Sequence, residues 1–386
     1  MRRKEPSRPT ASSRSAQTSR TDVIVLGGGI IGCSLAEELA CRGSRVALIE
    51  RQWLGAEAST AAAGILSAQV DLPRADAFFE LCQASRSCYP AWVGRLTRQS
   101  GRLVGWRADG VLYLAFTAVQ ARRMASQIQW QQRRGLPASG LTLKQLRHLE
   151  PTVDGKVAAA FQFPTESQVD PVDLMRALAV TVRRAGVRLF EQTAVRRVLV
   201  TRRRVFGVET TRGRIHADAV VNCLGSWANL GGAFPVAVPV EPSRGQMLML
   251  QSAYPLLRRI LISERAYAVQ RQDGRILIGS TIERAGFMKA VTGEGTHAIL
   301  NGARRISRRI ADCAVLGAWA GFRPRTPDDW PLLSATPIEG LYVATGHFRH
   351  GILLAPITAQ VMADLVLTGR PRLDLSPFAL SRFRQP

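Results

Sequence analysis

The chain has 386 residues, of which 46% are hydrophobic and 21% are charged, a composition that excludes disordered and fibrous proteins. No uninterrupted apolar run approaches the roughly 20 residues that cross a bilayer, so no membrane span is expected. The net charge of +23 suggests a nucleic-acid partner, but the excess is Arg spread along the whole chain, so no nucleic acid is expected.

Residues 1–20 contain Ser, Thr, Arg and Pro without a hydrophobic run. They predict a disordered basic tail rather than a secretory signal, which needs an apolar segment of about 7–15 residues. The 6 Cys residues show no CxxC spacing, so neither a metal site nor a redox dithiol is expected. A reducing, cytoplasmic location fits this cysteine usage best.

The strongest local pattern lies in the first 30 residues after this tail. An aliphatic run at residues 23–26 predicts a buried strand, and Gly27, Gly29 and Gly32 follow it at GxGxxG spacing. A helix is predicted next, and then a second strand that ends at Glu50. Strand, Gly triad, helix, strand and acid together predict a dinucleotide-binding βαβ unit.

Each part of this unit has a physical role. Gly27 permits a tight turn, Gly29 lets the backbone approach a pyrophosphate, and Gly32 lets the helix pack closely on the strands. Glu50 can accept hydrogen bonds from both ribose hydroxyls. These residues leave FAD and NAD open, although the small-residue segment 57–69 suits the approach of a bulky ring system.

The later elements are predicted from periodicity and turn residues. Asp273 and Gly274, between two alternating runs at residues 267–271 and 275–280, predict a β-hairpin. Pro171 occupies the first turn of a helix predicted over residues 170–187. The other predicted elements are helices at 72–99, 120–134, 143–149 and 352–367, strands within 104–116 around a turn at 109–110, and strands at 195–200, 205–210, 219–224 and 341–345.

This order of elements predicts an α/β fold with two domains. The first is a Rossmann-like dinucleotide-binding domain assembled from discontinuous segments, and the second is a mixed-sheet α+β substrate domain. The predicted bounds are 21–100, 165–240 and 317–375 for the first domain, and 101–164 and 241–316 for the second.

Several motifs in a fixed order carry a more specific resemblance. They are VIVLGGGIIG, EASTAAAGIL, ESQVDPVDLMRAL, VVNCLGSW, PSRGQML, YAVQRQDGRILIGSTIE, WAGFRPRTPD and GHFRHGILLAP. Across residues 21–370 the chain resembles the D-amino-acid oxidase superfamily of FAD-dependent oxidoreductases, and within it the glycine oxidases of thiamine biosynthesis. The resemblance implies FAD, bound non-covalently because Gly321 stands near the place of the flavin-linking Cys of related sarcosine oxidases.

The resemblance also implies functional residues. Arg323 matches the arginine that binds the substrate carboxylate, Arg349 also lies at the substrate, and Tyr267 matches a tyrosine that helps to hold the carboxylate. The expected cofactor-binding residues are Gly27, Gly29, Ile30, Ile31, Gly32, Glu50, Arg51, Ala58, Ser59, Ala63, Gly64, Ile65, Val195, His347, Phe348, Arg349, His350, Gly351, Ile352 and Leu353.

The substrate residues also make chemical sense. A guanidinium binds a planar carboxylate through two parallel hydrogen bonds, which Lys cannot match. The flavin carries the redox chemistry, so no side chain is needed as a catalytic base, and none is assigned. Three residues depart from the family pattern: Arg325 is expected to place a second cation beside Arg323, and Ile65 and Ile282 replace larger Met side chains near the flavin.

The expected reaction is oxidative deamination of glycine, sarcosine or D-alanine to an imine or 2-oxo acid, with molecular oxygen reduced to hydrogen peroxide. The resemblance implies a role in the thiazole branch of thiamine biosynthesis. Two alternatives stay open: a D-amino-acid dehydrogenase that passes electrons to a quinone, and a tRNA-associated flavoprotein oxidoreductase. A homo-oligomer is also left open.

Overall fold

The computed structural model describes residues 21–383, so the predicted tail at residues 1–20 lies outside the described residues. The strands are β1 Thr21–Leu26, β2 Val46–Ile49, β3 Ile65–Leu66, β4 Val111–Ala115, β5 Ser139–Leu141, β6 Ala159–Phe163, β7 Ser167–Gln168, β8 Arg188–Phe190, β9 Val195–Thr201, β10 Arg204–Thr210, β11 Gly213–Asn222, β12 Glu241–Gln251, β13 Ile260–Ile262, β14 Tyr267–Gln270, β15 Arg275–Gly279, β16 Ala314–Arg325, β17 Leu332–Ala335 and β18 Leu341–Thr345. The helices are α1 Ile30–Cys41, α2 Ala58–Ala61, α3 Ala77–Ser100, α4 Ala118–Arg133, α5 Leu143–Leu149, α6 Pro171–Arg184, α7 Gly293–Ile306, α8 Arg308–Ala311 and α9 Gly351–Thr368.

The first large sheet contains the predicted βαβ unit. Its strands run in the order β17-β18-β11-β1-β2-β8, and β10 and β9 continue from β11. Strand β1 pairs in parallel with both β2 and β11, and α1 connects β1 to β2, which confirms the predicted unit. Val23 and Val25 pack into the apolar cluster on one face of the sheet, and Ile24 and Leu26 into the cluster on the other. Burial on both faces explains the uninterrupted aliphatic run.

The second large sheet has the strand order β16-β12-β15-β14-β13-β4-β6-β5. Neighbouring strands are antiparallel except β13 and β4, which are parallel, so the sheet is mixed as predicted. The predicted hairpin is confirmed, because β14 and β15 pair and the Arg271 N–H donates to the Arg275 carbonyl at 2.7 Å. Two of the predicted substrate residues lie in this second sheet, Tyr267 on β14 and Arg323 on β16.

One strand differs from the predicted division into domains. Strand β16 pairs with β12 from Ala314 to Arg325, so residues 317–325 belong to the second sheet rather than to the first domain. Pairing between strands so far apart in sequence cannot be deduced from the local pattern of β16. The remaining domain bounds stay a prediction.

The strand predicted before residue 111 is wrong. Gly105 and Gly110 have φ values of 64° and 77°, which interrupt an extended backbone. Between them Arg107 makes a single bridge to Gln168. The helix predicted from residue 72 begins later, at Ala77, because the Asp76 carboxylate accepts a hydrogen bond from the Phe79 N–H and caps it there.

Helix α9 closes the first domain. By length and composition it is the one helix within residues 21–383 that could cross a membrane, with a mean hydropathy of 1.6 over 18 residues. However, 67% of it is buried inside the protein, where it packs against α1 and α3. These are the contacts of a core helix.

Candidate functional site

Residues of both sheets line one cavity of about 780 Å³. One end lies at the turn between β1 and α1 and at the start of β9. The middle is lined by the segment from α2 to β3 and by the loop that precedes α9. The other end is lined by the second sheet, with residues of β4, β12, β13, β14 and β16. The cavity therefore passes from the Gly triad to the predicted substrate residues.

The Gly triad shapes the first end of the cavity. Gly27 has a φ of 100°, and a Cβ there would lie 2.6 Å from the Cys223 carbonyl oxygen. Gly32 packs α1 against the turn, because a Cβ would lie 1.9 Å from the Gly27 carbonyl oxygen. Gly29 lines the cavity, where its missing side chain exposes the start of α1. The Ile30 N–H there donates to Ser59 Oγ at 2.8 Å.

We expect substitution of Gly32 by Ala to destabilise the protein by about 3 kcal/mol, because the new methyl group collides with backbone rather than with a mobile side chain. Urea unfolding measures the effect. Gly94→Ala is the control, since this helical glycine has only the end of the Arg98 side chain nearby, at 3.5 Å. That change should stabilise α3 by up to about 1 kcal/mol. Equal effects of the two substitutions would contradict the packing role of Gly32.

Glu50 connects two turns at the edge of the cavity. Its Oε2 accepts a hydrogen bond from the Gly28 N–H at 2.8 Å, and its Oε1 accepts one from the Gln52 N–H at 2.8 Å. A carboxylate oxygen has a second lone pair, so both oxygens can still accept from a ligand hydroxyl. The Arg51 guanidinium lies 4.0 Å from the centre of the Trp227 ring. Trp227 was not among the residues predicted from the sequence.

The segment from α2 to β3 forms the wall in the middle of the cavity. Trp319 Nε1 donates to the Ala61 carbonyl at 3.0 Å, Arg271 Nη2 donates to the Ala63 carbonyl at 2.5 Å, and the Val169 N–H donates to the Gly64 carbonyl at 2.9 Å. Three hydrogen bonds from separate parts of the chain hold this backbone in place. Its small side chains suit the approach of a bulky ring system, which stays a prediction.

The loop before α9 also lines the cavity. Phe348 has a φ of 46°, which is uncommon for a non-glycine residue and holds the loop in a tight turn. Gly351 and Ile352 begin α9, whose first N–H groups have no partner within the helix and favour a negatively polarised ligand atom. The N-terminus of α1 offers the same kind of site at the first end of the cavity.

The two histidines of this loop are buried. His347 Nε2 lies 3.1 Å from Thr358 Oγ1, and burial lowers the pKa of His347 to about 3. Burial also lowers the pKa of His350 to about 4. His350 packs edge-on against Phe78, with the ring centres 5.1 Å apart. Both rings are therefore neutral at neutral pH, which argues against a role as proton carriers.

Arg323 is the centre of the second end of the cavity. Its Nη1 donates to the Thr281 carbonyl at 3.0 Å and its Nη2 donates to Ser280 Oγ at 2.7 Å. The guanidinium lies over Gly245, where a Cβ would be 2.1 Å from Nη1. Burial lowers the pKa of Arg323, but an arginine stays charged at any physiological pH. The remaining N–H groups can bind a carboxylate.

Tyr267 lies beside this guanidinium. Burial raises the pKa of Tyr267, and the charge of Arg323 partly opposes that effect. The hydroxyl lies 3.4 Å from Met247 Sδ, a weak acceptor that a ligand oxygen can replace. The absence of a side chain at Gly279 leaves room for it, since a Cβ there would be 2.9 Å from the hydroxyl oxygen. Tyr267 therefore offers a second hydrogen-bond donor close to Arg323.

The two neighbouring arginines behave differently. Arg349 lines the cavity, and its Nη2 lies 3.7 Å from Asp71 Oδ1. Arg325 does not line it, because its Nε donates to Asp329 Oδ1 at 2.6 Å and its guanidinium lies 5.2 Å from the Phe348 ring centre. The expectation that Arg325 places a second cation beside Arg323 is therefore wrong for the cavity, because the Arg325 guanidinium is paired with Asp329 outside it.

The cavity brings most of the predicted site residues together. Gly32 and Leu353 are the exceptions, because Gly32 packs inside the βαβ unit and the Leu353 side chain belongs to the core. Sequence reasoning missed the residues that position the predicted ones. Ser280, Trp319 and Arg271 all lie in quoted motifs, but their roles depend on contacts across the sheet. The predicted residues that line the cavity are Gly27, Gly29, Ile30, Ile31, Glu50, Arg51, Ala58, Ser59, Ala63, Gly64, Ile65, Val195, Tyr267, Arg323, His347, Phe348, Arg349, His350, Gly351 and Ile352.

These features fit FAD. A close-approach backbone and a helix N-terminus suit a pyrophosphate, and Glu50 suits a ribose. The small side chains between α2 and β3 and the start of α9 suit a polar ring system. Cys223 lines the cavity beside Gly27, but burial raises the pKa of its thiol, which disfavours the reactive thiolate.

A buried carboxylate binds the backbone just after β3. Both oxygens of Glu166 lie near the Ala68 N–H, at 3.1 and 2.9 Å, and Oε1 lies 3.3 Å from Arg86 Nη1. Burial raises the pKa of Glu166 from 4.5 to about 7, although Arg86 opposes this effect. Between these two pH values the folded state holds more protons at this site than the unfolded state. The contribution of Glu166 to the free energy of unfolding therefore falls as pH rises through this window.

We expect the Glu166→Gln substitution to remove this dependence. The free energy of unfolding of the wild type minus that of the variant should fall by about 3 kcal/mol between pH 4.5 and pH 7.5, and then level off. Urea titrations of both proteins at several pH values measure it. The lowered pKa values of His347 and His350 make stability rise with pH, but this contribution is the same in both proteins. It therefore cancels when the two free energies of unfolding are subtracted. A pH-independent difference would contradict the prediction.

Comparison with known proteins identifies what the chain is similar to. The family model described as FAD dependent oxidoreductase (DAO) matches residues 22–365. The glycine oxidase of Geobacillus kaustophilus (strain HTA426) is 34% identical over 95% of this chain and 98% of its own length. The crystal structure of glycine oxidase from Geobacillus kaustophilus superposes with a TM-score of 0.91 at 34% identity, covering 95% of this chain and 100% of that chain.

A longer relative shows the same similarity over only part of its length. The bifunctional protein ThiO/ThiG of Trichormus variabilis (strain ATCC 29413 / PCC 7937) is 34% identical over 94% of this chain. This chain spans 55% of that relative.

Proposed function

The chain belongs to the FAD-dependent oxidoreductase (DAO) family, and from this premise we propose that it catalyses the oxidative deamination of glycine or a similarly small amine such as sarcosine or D-alanine. The products are an imine or 2-oxo acid and hydrogen peroxide. The observation that carries the proposal is the position of Arg323, a charged and partly desolvated guanidinium at the end of an FAD-compatible cavity.

Arg323 and Tyr267 are proposed to hold the substrate carboxylate, with Arg349 at the edge of the same pocket. A flavin held in the cavity would supply the oxidising group, the acceptor for the electron pair of the substrate Cα–H bond. Arg323 fixes the orientation of the substrate, which replaces a random encounter by a reactive geometry. The neutral His347 and His350 supply packing and backbone groups rather than acid–base catalysis.

The cofactor is proposed to be held non-covalently by the residues of the first end and the middle of the cavity. Molecular oxygen is proposed as the second substrate. A role in the thiazole branch of thiamine biosynthesis is supported by the similarity to glycine oxidases and to part of a ThiO/ThiG protein. Free cysteines support a cytoplasmic location. Association into a homo-oligomer is compatible with the proposal.

The experiment uses the purified, FAD-loaded protein. Glycine added without oxygen should bleach the yellow flavin, and admission of air should restore the colour and produce peroxide in equal amount. Reduction of a quinone dye without peroxide would replace the oxidase assignment by the dehydrogenase alternative. Bleaching by larger D-amino acids but not by glycine, sarcosine or D-alanine would remove the proposed substrate class.

A further inference from the structure

The cavity extends beyond the residues that a small amine needs. On the second sheet Tyr113 pairs with Ile262, and Ile262 pairs with Tyr267 on the next strand. Residues directly paired across neighbouring strands share one face, so these three side chains form a row. All three line the cavity. Two strand spacings separate Tyr113 from Tyr267, about 10 Å between their backbones.

Tyr113 ends this row with a polar group that lacks a well-aligned partner. The residue is 3% exposed, and its hydroxyl makes no hydrogen bond of standard geometry within the described part of the chain. The Arg123 guanidinium nevertheless lies close enough to oppose the rise that burial causes in the Tyr113 pKa, so a ligand carboxylate can accept from both groups together. Ile262, which is apolar, lies between this hydroxyl and Tyr267. A matching ligand is therefore polar at both ends and apolar between them.

Charge at this end of the cavity favours an anion. Arg123 and Arg265 line it together with Glu264, and Arg349 and Asp71 lie at its edge. Arg123 Nη2 is 3.5 Å from Glu264 Oε1 in an exposed pair, so it can turn toward a ligand at little cost. The Glu264 carboxylate keeps another donor, Gln120 Nε2, at 2.5 Å. Arginines therefore outnumber carboxylates among these lining residues even when Arg323 is left out.

We propose that Tyr113 and Arg123 form a distal subsite for a second carboxylate, so that the enzyme also oxidises amino acids in which an apolar spacer separates two acidic groups. The α-carboxylate binds Arg323 and Tyr267, the spacer lies over Ile262, and the distal carboxylate accepts from the Tyr113 hydroxyl and from Arg123. This inference rests on the proposed function, because it assigns the Arg323 end to the reacting amino acid.

The test compares two achiral substrates of matched length on the FAD-loaded protein, N-(3-carboxypropyl)glycine and N-butylglycine. The wild type should show a kcat/KM ratio of about tenfold in favour of the carboxylated substrate, the value of one hydrogen bond to a charged group. Tyr113→Phe and Arg123→Gln should each bring the ratio close to one. Arg122→Gln, at the exposed neighbour on α4 that does not line the cavity, should keep it. A ratio near one in the wild type, or an unchanged ratio in both subsite variants, would overturn the subsite.

Binding of compounds that cannot be oxidised separates this inference from the proposed function. Calorimetry should show that adipate binds about tenfold more tightly than hexanoate, and that Tyr113→Phe removes the difference. This binding result supports the subsite whether or not the protein oxidises glycine. Failure to oxidise glycine counts against the proposed function alone. Equal affinity for the two acids, in a protein that oxidises glycine, counts against the subsite alone.

Discussion

Substitution of Arg323 by Ala is expected to leave FAD bound and to lower kcat/KM for glycine about 10²- to 10⁴-fold. The guanidinium is held by the Thr281 carbonyl and Ser280 Oγ and is not in contact with the Gly triad, so its loss removes a substrate contact rather than a cofactor contact. Loss of one partner from a desolvated charge pair typically costs about 3–5 kcal/mol. Steady-state kinetics and the flavin absorbance of the purified variant measure the two effects.

Two further substitutions make this result specific. Arg323→Lys keeps the charge but loses the paired N–H groups, so its activity should lie between those of the wild type and the alanine variant. Arg325→Ala is a matched control on the same strand, because Arg325 is paired with Asp329 outside the cavity. Its kcat/KM should stay within about threefold of wild type, as expected for an exposed pair. Similar losses in Arg323→Ala and Arg325→Ala would show that Arg323 does not bind the carboxylate.

The contrast between these two arginines also shows what the sequence can and cannot predict. Both lie in the same motif, two residues apart, so the local pattern alone does not separate them. Their difference arises from their partners: distant segments, β12 and the residues after β15, supply Gly245 and the acceptors of Arg323, whereas Arg325 pairs with Asp329, four residues further along the chain. The register of β16 against β12 brings Gly245 to Arg323.

The βαβ unit was predictable for the opposite reason. Its strand, turn, helix and second strand are consecutive, and the spacing of Gly27, Gly29 and Gly32 encodes the turn directly. The hairpin was predictable for the same reason, because its two strands are consecutive and Asp273 and Gly274 mark the turn between them. By contrast, the segment before residue 111 alternates like a strand but is interrupted by glycines with positive φ, a tertiary outcome that propensity does not reveal.

Positioning contacts between distant segments therefore form the part of the site that sequence reasoning missed. Arg271 and Trp319 reach the backbone of residues 61–63 from two strands of the second sheet. They couple the sheet that carries Arg323 to the wall predicted to contact the flavin. The same sheet can thus set the distance between a bound carboxylate and the cofactor, which is the distance that the reaction requires to be short.

Substitution of Glu50 by Ala is expected to weaken FAD binding roughly 10- to 100-fold while leaving kcat at saturating FAD close to that of wild type. The change removes the acceptor for the ribose and also leaves the Gly28 and Gln52 N–H groups without their carboxylate. Glu50 follows β2 of the first sheet, whereas Arg323 lies on β16 of the second sheet, so the chemistry should survive once cofactor is restored. Equilibrium dialysis of FAD and activity titrated against added FAD measure the two quantities.

The neighbouring carboxylate of Glu191 provides the control for this effect. It too accepts a backbone hydrogen bond, from the Leu54 N–H at 3.1 Å, and pairs with Arg183, but it does not line the cavity. Glu191→Ala should therefore lower stability without a specific loss of FAD affinity. Glu50→Gln, which keeps one acceptor oxygen, should lie between wild type and Glu50→Ala. If Glu191→Ala releases FAD as readily as Glu50→Ala, the effect comes from loosening of the turn, and Glu50 is not a ribose ligand.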